Sequence, residues 1–114
     1  MLSRVNTHVW LLSFWFCWLT CTALFLLPAA DLPDVNIWDK AAHAGAFAML
    51  MLLAWQAWQR QPVLLLGVAL ALYGFTIECL QHFIPGRSFS LLDAVADTVG
   101  LIPILLWARW SRRA

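Results

Sequence analysis

Four long apolar segments, separated by short polar ones, set the pattern of this sequence. These segments cover approximately residues 9–28, 39–58, 62–83 and 91–108. Each has the length of about 20 residues that an α-helix needs to cross a bilayer. The strand-like alternation that a membrane barrel requires is absent from the sequence, and a helix satisfies its own backbone in lipid. The pattern therefore predicts four transmembrane helices.

The first apolar segment has a second interpretation, as a secretory signal peptide. Residues 5–27 contain no Asp, Glu, Lys or Arg, whereas the apolar core of a signal peptide is usually about 7–15 residues long. Pro28-Ala29-Ala30 is in addition a poor cleavage site. We therefore predict that the segment is retained as the first membrane helix.

The composition agrees with a membrane protein. Of 114 residues, 63% are hydrophobic and 11% charged, against about 45–50% and about 25% in a soluble domain. This proportion of hydrophobic to charged residues excludes a cytosolic globular enzyme and a disordered tail. Because the sequence has no basic patch, we also expect no nucleic-acid partner. Because no linker or repeat divides the chain, we predict one domain over residues 1–114, an all-α integral membrane four-helix bundle.

The basic residues predict the orientation of this bundle. With four spans, five of the seven lie on the side of the two termini: Arg4, Arg60, Arg109, Arg112 and Arg113. Lys40 and Arg87 lie on the other side. Since Lys and Arg are enriched on the cytoplasmic side, we expect both termini in the cytoplasm and a multi-pass location in the cytoplasmic membrane.

Ionisable residues of three predicted helices fall at a similar depth in the bilayer. At about 1.5 Å per residue, His43 and Glu78 lie about 26 and 27 Å outward from Arg60, and Asp97 lies about 18 Å outward from Arg109. The hydrocarbon core is about 30 Å thick. Because ionisable groups at membrane depth normally face one another, we predict a polar pocket that is open to the outside.

Spacing within each predicted helix supports a shared polar face. Residues four apart on a helix lie one above the other. Three pairs have this spacing: Asp39 and His43, Glu78 and His82, and Asp93 and Asp97. We expect these faces to meet inside the bundle.

Helix capping is a second interpretation for part of this set. Ser90 and Asp93 fit a capping box at the start of the fourth helix, and Asp39 lies where the helix dipole favours a carboxylate. Three residues are not explained by capping and are the catalytic candidates: His43, Glu78 and Asp97.

The sequence predicts neither a metal site nor a disulfide. Asp, His and Glu side chains could ligate a metal, but no recognised metal-binding spacing such as HExxH occurs. Cys17 and Cys21 lie in an apolar helix, where cysteine behaves as a small hydrophobe, and Cys79 has no obvious partner at its depth. We therefore expect no cofactor.

Small residues mark the expected helix contacts. One stripe on the third helix comprises Gly67, Ala71 and Gly74, and Ala44 and Ala48 form another on the second. Such stripes let membrane helices approach closely.

These residues resemble the VanZ-like family of small membrane proteins. The resemblance rests on DKAAH at 39–43, ECLQ at 78–81 and PGRSFSLLD at 85–93, followed by ADT at 96–98 and by Gly100. The resemblance covers Trp38 to about Leu106. The first helix resembles that of the family only in its general character. This chain has Ala44 where many relatives have an aromatic residue after the motif His.

The resemblance implies a binding role for the residues at the family's motif positions. These are Asp39, Lys40, His43, Glu78, Gln81, Arg87, Ser90, Asp93 and Asp97. The family takes its name from a protein associated with resistance to the glycopeptide antibiotic teicoplanin. An effect on glycopeptide tolerance is therefore implied by analogy alone.

Four functions remain open at this point. The first is binding or modifying an envelope lipid or a lipid-linked cell-wall intermediate, because Lys40, His43 and Arg87 beside carboxylates could hold a phosphate-bearing head group. The second is an enzyme that uses His43 and a carboxylate as an acid–base pair, although no nucleophile motif supports it. The others are a structural or accessory membrane subunit without a catalytic site, and a transporter, which would have to be a homo-oligomer.

Overall fold

The described part of the chain folds into four α-helices. A computed structural model of the chain describes residues 6–26, 36–84 and 91–113. The helices are α1 (Thr7–Phe25), α2 (Asn36–Ala57), α3 (Val63–Gln81) and α4 (Leu91–Arg113), and no strand occurs within those three ranges. The prediction of an all-α four-helix protein is confirmed.

Three helices are long and apolar enough to cross a membrane, namely α1, α3 and α4 as far as Arg112. Helix α2 is not one of them, although its 22 residues would extend about 33 Å. It carries Lys40, His43 and Gln56, and the latter two are buried inside the bundle. A helix that contacts other helices along its length needs less apolar surface than one that faces lipid. A membrane crossing by α2 stays a prediction.

Consecutive helices run antiparallel. At one end of the bundle, the ring of Phe25 at the end of α1 stacks on the imidazole of His43 near the start of α2, with centroids 4.4 Å apart. At the other end, Arg112 donates hydrogen bonds to the backbone carbonyls of Trp58 and Gln61 in the α2–α3 turn. Phe14 also reaches Trp58, with ring centroids 4.9 Å apart. The start of α1 and the end of α4 therefore lie at the same end, and their cytoplasmic location stays a prediction.

Helix α2 lies at the centre and packs against the other three helices. Phe47, Leu50 and Met51 on α2 are fully buried in the core. Its closest neighbour is α4, where a Cβ added to Gly100 would lie 2.1 Å from the carbonyl oxygen of Ala44. Only a glycine at this position lets the two backbones approach so closely.

The helix bounds differ from the predicted ones by up to five residues. Helix α1 begins at Thr7 rather than Val9, because the side chain of Asn6 accepts a hydrogen bond from the backbone N–H of His8 at 2.9 Å. Helix α4 continues to Arg113, past the predicted end at Ala108. The helix dipole favours a cation at a helix C-terminus, so α4 extends beyond its apolar segment.

Candidate functional site

Six polar side chains from three helices meet at the end of the bundle where α1 ends. We call this group the polar cluster: Lys40 and His43 of α2, Glu78 and Gln81 of α3, and Asp93 and Asp97 of α4. All except Lys40 are less than 9% exposed. The bundle therefore buries several ionisable groups at one level, as the depth argument predicted.

His43 and Asp97 form the innermost contact of the polar cluster. The Nδ1 atom of His43 lies 2.7 Å from Oδ1 of Asp97, and both side chains are 1% exposed. An ionised Asp97 only accepts hydrogen bonds, so Nδ1 donates to it, and Nε2 carries the lone pair whenever the ring is neutral. The stacked ring of Phe25 covers one face of the imidazole. Together these contacts hold His43 in one orientation and one tautomer.

Gly74 makes the space for Asp97. A Cβ added to Gly74 would lie 2.8 Å from Oδ2 of Asp97 and 3.1 Å from the ring of Phe47. A larger residue on α3 would displace the carboxylate from its position between the helices. The sequence contained a signal for this role, because Gly74 is four residues before Glu78 and shares its helix face.

Lys40 and Asp93 lie at the rim of the polar cluster. The Nζ atom of Lys40 lies 3.1 Å from Oδ1 of Asp93, and the Lys40 side chain is 37% exposed. The second oxygen of Asp93 lies 4.0 Å from Nε2 of His43. Asp93 is also in the first turn of α4, where the helix dipole favours a carboxylate. Asp93 thus links the exposed ammonium group to the buried imidazole.

The third helix contributes Glu78 and Gln81 to the polar cluster, rather than the predicted pair of Glu78 and His82. Glu78 is fully buried, as expected, but His82 is exposed, and its ring contacts Phe83. The prediction that His82 would lie with Glu78 inside the bundle was wrong, because His82 is at the C-cap of α3, where its side chain is exposed. Gln81 is buried and donates a hydrogen bond to the carbonyl oxygen of Phe25 at 2.6 Å, which caps α1.

The structure brings together six of the nine predicted binding residues. Arg87, Ser90 and the side chain of Asp39 lie outside the described part of the chain. The predicted capping box of Ser90 with Asp93 lies partly there as well. The binding roles of these three residues stay predictions.

The polar cluster is closed, whereas the sequence predicted a pocket open to the outside. His43, Glu78 and Asp97 are at most 1% exposed. No pattern in the sequence indicated the position of Phe25, whose ring covers the imidazole, or the close approach of α2 and α4. Both contacts join residues that are distant along the chain. Among the six residues of the polar cluster, the partly exposed Lys40 at the rim is the one that a larger group could contact.

Two cavities lie away from the polar cluster. One, of about 680 Å³, opens at the other end of the bundle and is lined by Trp10, Gln56, Arg60 and their neighbours. The other is an apolar groove of about 510 Å³ between α1 and α3, with Trp15 and Tyr73 among its lining residues. Neither of these two cavities reaches the polar cluster.

Comparison with known proteins identifies the family of this membrane-type helical bundle. The family model VanZ/LLP1 matches residues 3–111. The chain therefore belongs to the VanZ/LLP1 family, and the match includes the first helix, for which the motifs gave only a general likeness. No curated protein and no solved structure matches the chain.

Proposed function

We propose that this protein binds or modifies an envelope lipid or a lipid-linked cell-wall intermediate at the polar cluster, within the cytoplasmic membrane. The observation that carries the proposal is the burial of Glu78, Asp93 and Asp97 beside His43 in a protein with helices long and apolar enough to span a membrane. Ionisable groups at membrane depth are costly and are kept mainly where a function needs them.

Lys40 is the residue through which a phosphate-bearing head group would contact the site. Its ammonium group has three N–H donors, and the contact with Asp93 uses one of them. Its partial exposure at the rim leaves room for an anion beside it. Arg87 and Ser90 match the family's motif positions and are proposed as further head-group contacts.

His43 is the proposed acid–base group if the bound lipid is modified. Its Nδ1–H donates to Asp97, so the opposite nitrogen can accept a proton and Asp97 stabilises the resulting imidazolium. Glu78 and Asp97 remain the other catalytic candidates. A change in the supply of such a lipid would in turn alter tolerance to glycopeptide antibiotics.

A structural role is the second candidate. The hydrogen bond from Gln81 to the backbone of Phe25 and the His43–Asp97 contact both join separate helices. The cluster would then lock the bundle together in an accessory subunit, and no ligand would be involved.

A lipid-binding measurement separates these two functions. The probe is a polyprenyl phosphate titrated into phosphatidylcholine nanodiscs that contain the purified protein. We expect saturable binding that Lys40→Gln weakens about tenfold, the loss of one charge-assisted contact. Arg109→Gln, which removes a cation from the opposite end of the bundle, is the matched control and should bind like the wild type. Equal affinity of all three proteins would refute the proposal.

A cellular experiment tests the action on the envelope. His43→Gln and Glu78→Gln are compared with the wild type for teicoplanin tolerance and for protein abundance in the membrane. Loss of tolerance at normal abundance would support the proposed function. Variants that fail to accumulate would support the structural role.

A further inference from the structure

We propose that His43, Glu78 and Asp93 form a binding site for one divalent transition-metal ion, of which Zn²⁺ fits the ligands best. One ligand atom of each residue lies within 4.8 Å of those of the other two. The residues come from α2, α3 and α4, so the ion would join three helices. The inference does not rest on the lipid proposal. The acid–base role and the metal role are alternatives for Nε2 of His43, because a metal-bound nitrogen cannot also accept a proton.

The three ligand atoms are close enough together that they would move only slightly to bind an ion. When three atoms lie no more than 4.8 Å apart, one point lies within about 2.8 Å of all of them. Ordinary Zn–N and Zn–O bonds are about 2.0–2.2 Å long. Each ligand atom would therefore move inward by less than about 1 Å, which side-chain rotation provides.

The chemistry of the donor atoms selects the class of metal. One imidazole nitrogen with two carboxylate oxygens is a mixed set, which suits zinc and its neighbours better than the all-oxygen set that Ca²⁺ and Mg²⁺ prefer. Three protein ligands leave a fourth position of a tetrahedral ion for water or substrate. An ion held here is thus able to bind a further anionic group.

Asp97 supplies an independent sign of a metal ligand. It accepts the hydrogen bond from Nδ1 of His43 at 2.7 Å, and metal-binding histidines almost always donate their other ring N–H in this way. The other ring nitrogen, Nε2, lies 4.0 Å from Oδ2 of Asp93. That separation is too long for a hydrogen bond, and it is one that a bridging cation spans. Asp97 is therefore a positioning residue.

The burial of the two carboxylates also suits a bound cation. Glu78 and Asp93 are 0% and 8% exposed, which distinguishes them from an acidic patch on a protein surface.

The first experiment measures metal content in the purified protein. Protein in detergent is stripped with EDTA, freed of lipid, loaded with Zn²⁺, separated from unbound metal and analysed by mass spectrometry. We expect about one ion per chain for the wild type, and at least a tenfold weaker affinity for His43→Gln and Glu78→Gln. His82→Gln is the matched control, because this exposed histidine follows α3 directly, and it should bind one ion. Retention of one tightly bound ion by both cluster variants would overturn the proposal.

A spectroscopic measurement tests the site without any substitution. The wild-type protein loaded with one Cu²⁺ should show electron-spin coupling to a single imidazole nitrogen. No bound ion, or coupling to two or more imidazoles, would overturn the assignment. If Glu78→Gln fails to fold, Asp93→Asn at the rim replaces it in the zinc measurement.

The role of Asp97 has its own test. Asp97→Asn should keep one ion per chain but weaken its affinity about 10–100-fold, and a smaller effect would remove Asp97 from the site. Because no lipid is present in these measurements, their failure is distinct from a failure of lipid binding.

Discussion

The carboxylate of Asp97 on α4 accepts a hydrogen bond from the imidazole of His43 on α2, at 2.7 Å and with both side chains 1% exposed. The two residues join the central helix to the last one at a level where the bundle also buries Glu78. Removing one partner would leave the other polar group buried in an apolar environment, and such losses are large.

We predict that Asp97→Ala lowers the free energy of unfolding by about 3–5 kcal/mol. The measurement is reversible unfolding in mixed micelles, followed by tryptophan fluorescence. Thr98→Ala is the control, because the Thr98 hydroxyl bonds only to the carbonyl of Ala94 within its own helix, and it should change stability little. A similar loss in both variants would contradict the importance of the buried contact.

Two glycines give opposite predictions for the same substitution. Gly100→Ala places a Cβ 2.1 Å from the backbone of Ala44, whereas a Cβ at Gly45 has no atom within 4 Å. We expect Gly100→Ala to force α2 and α4 apart and to cost about 1–3 kcal/mol. Gly45→Ala should be neutral or stabilising, since alanine is the better helix former. Equal effects of the two substitutions would argue against the close helix contact.

The aromatic contacts of Trp58 predict how strongly α1 is held. The Trp58 ring meets Phe14 and Trp15 edge-on, with centroids 4.9 and 5.8 Å away. Each such pair contributes about 0.5–1.5 kcal/mol, so Trp58→Ala should reduce stability by about 1–3 kcal/mol. Trp110→Ala is the matched control, because that side chain is 69% exposed. The prediction fails if the two variants unfold at the same denaturant concentration.

The predicted orientation is tested at both ends of the bundle. We expect a periplasm-active phosphatase fused after Ala114 to be inactive, because both termini are predicted to be cytoplasmic. In a background with all cysteines replaced by alanine, His82→Cys should react with a membrane-impermeant maleimide in whole cells. Gln59→Cys, which is also exposed but lies in the α2–α3 turn, should react only after lysis. The reverse labelling pattern would invert the orientation.

The sequence predicted the number of helices because each apolar segment had the length of a membrane span. It predicted their ends less well, since a helix end depends on single hydrogen bonds as well as on hydrophobicity. Asn6 starts α1 before the apolar segment begins, and Arg112 continues α4 after it while bonding to the α2–α3 turn. Neither residue changes the hydrophobic pattern.

For the candidate site, too, the sequence predicted one part and missed another. Depth along each helix correctly predicted that His43, Glu78 and Asp97 would lie together at one end of the bundle, because depth follows from helical rise alone. The ligand geometry of His43, Glu78 and Asp93 could not be predicted, since the three residues come from separate helices and form no local spacing motif. It depends on the rotation of each helix, which contacts such as that of Gly100 with Ala44 set.

The place of Asp93 and Asp97 on the last helix has a consequence for biosynthesis. Chains are made from the N-terminus, so His43 and Glu78 are synthesised before the two aspartates that complete their surroundings. A chain that lacks α4 would hold these ionisable groups without their contacts on that helix. We therefore expect a chain truncated before Leu91 to be degraded rapidly.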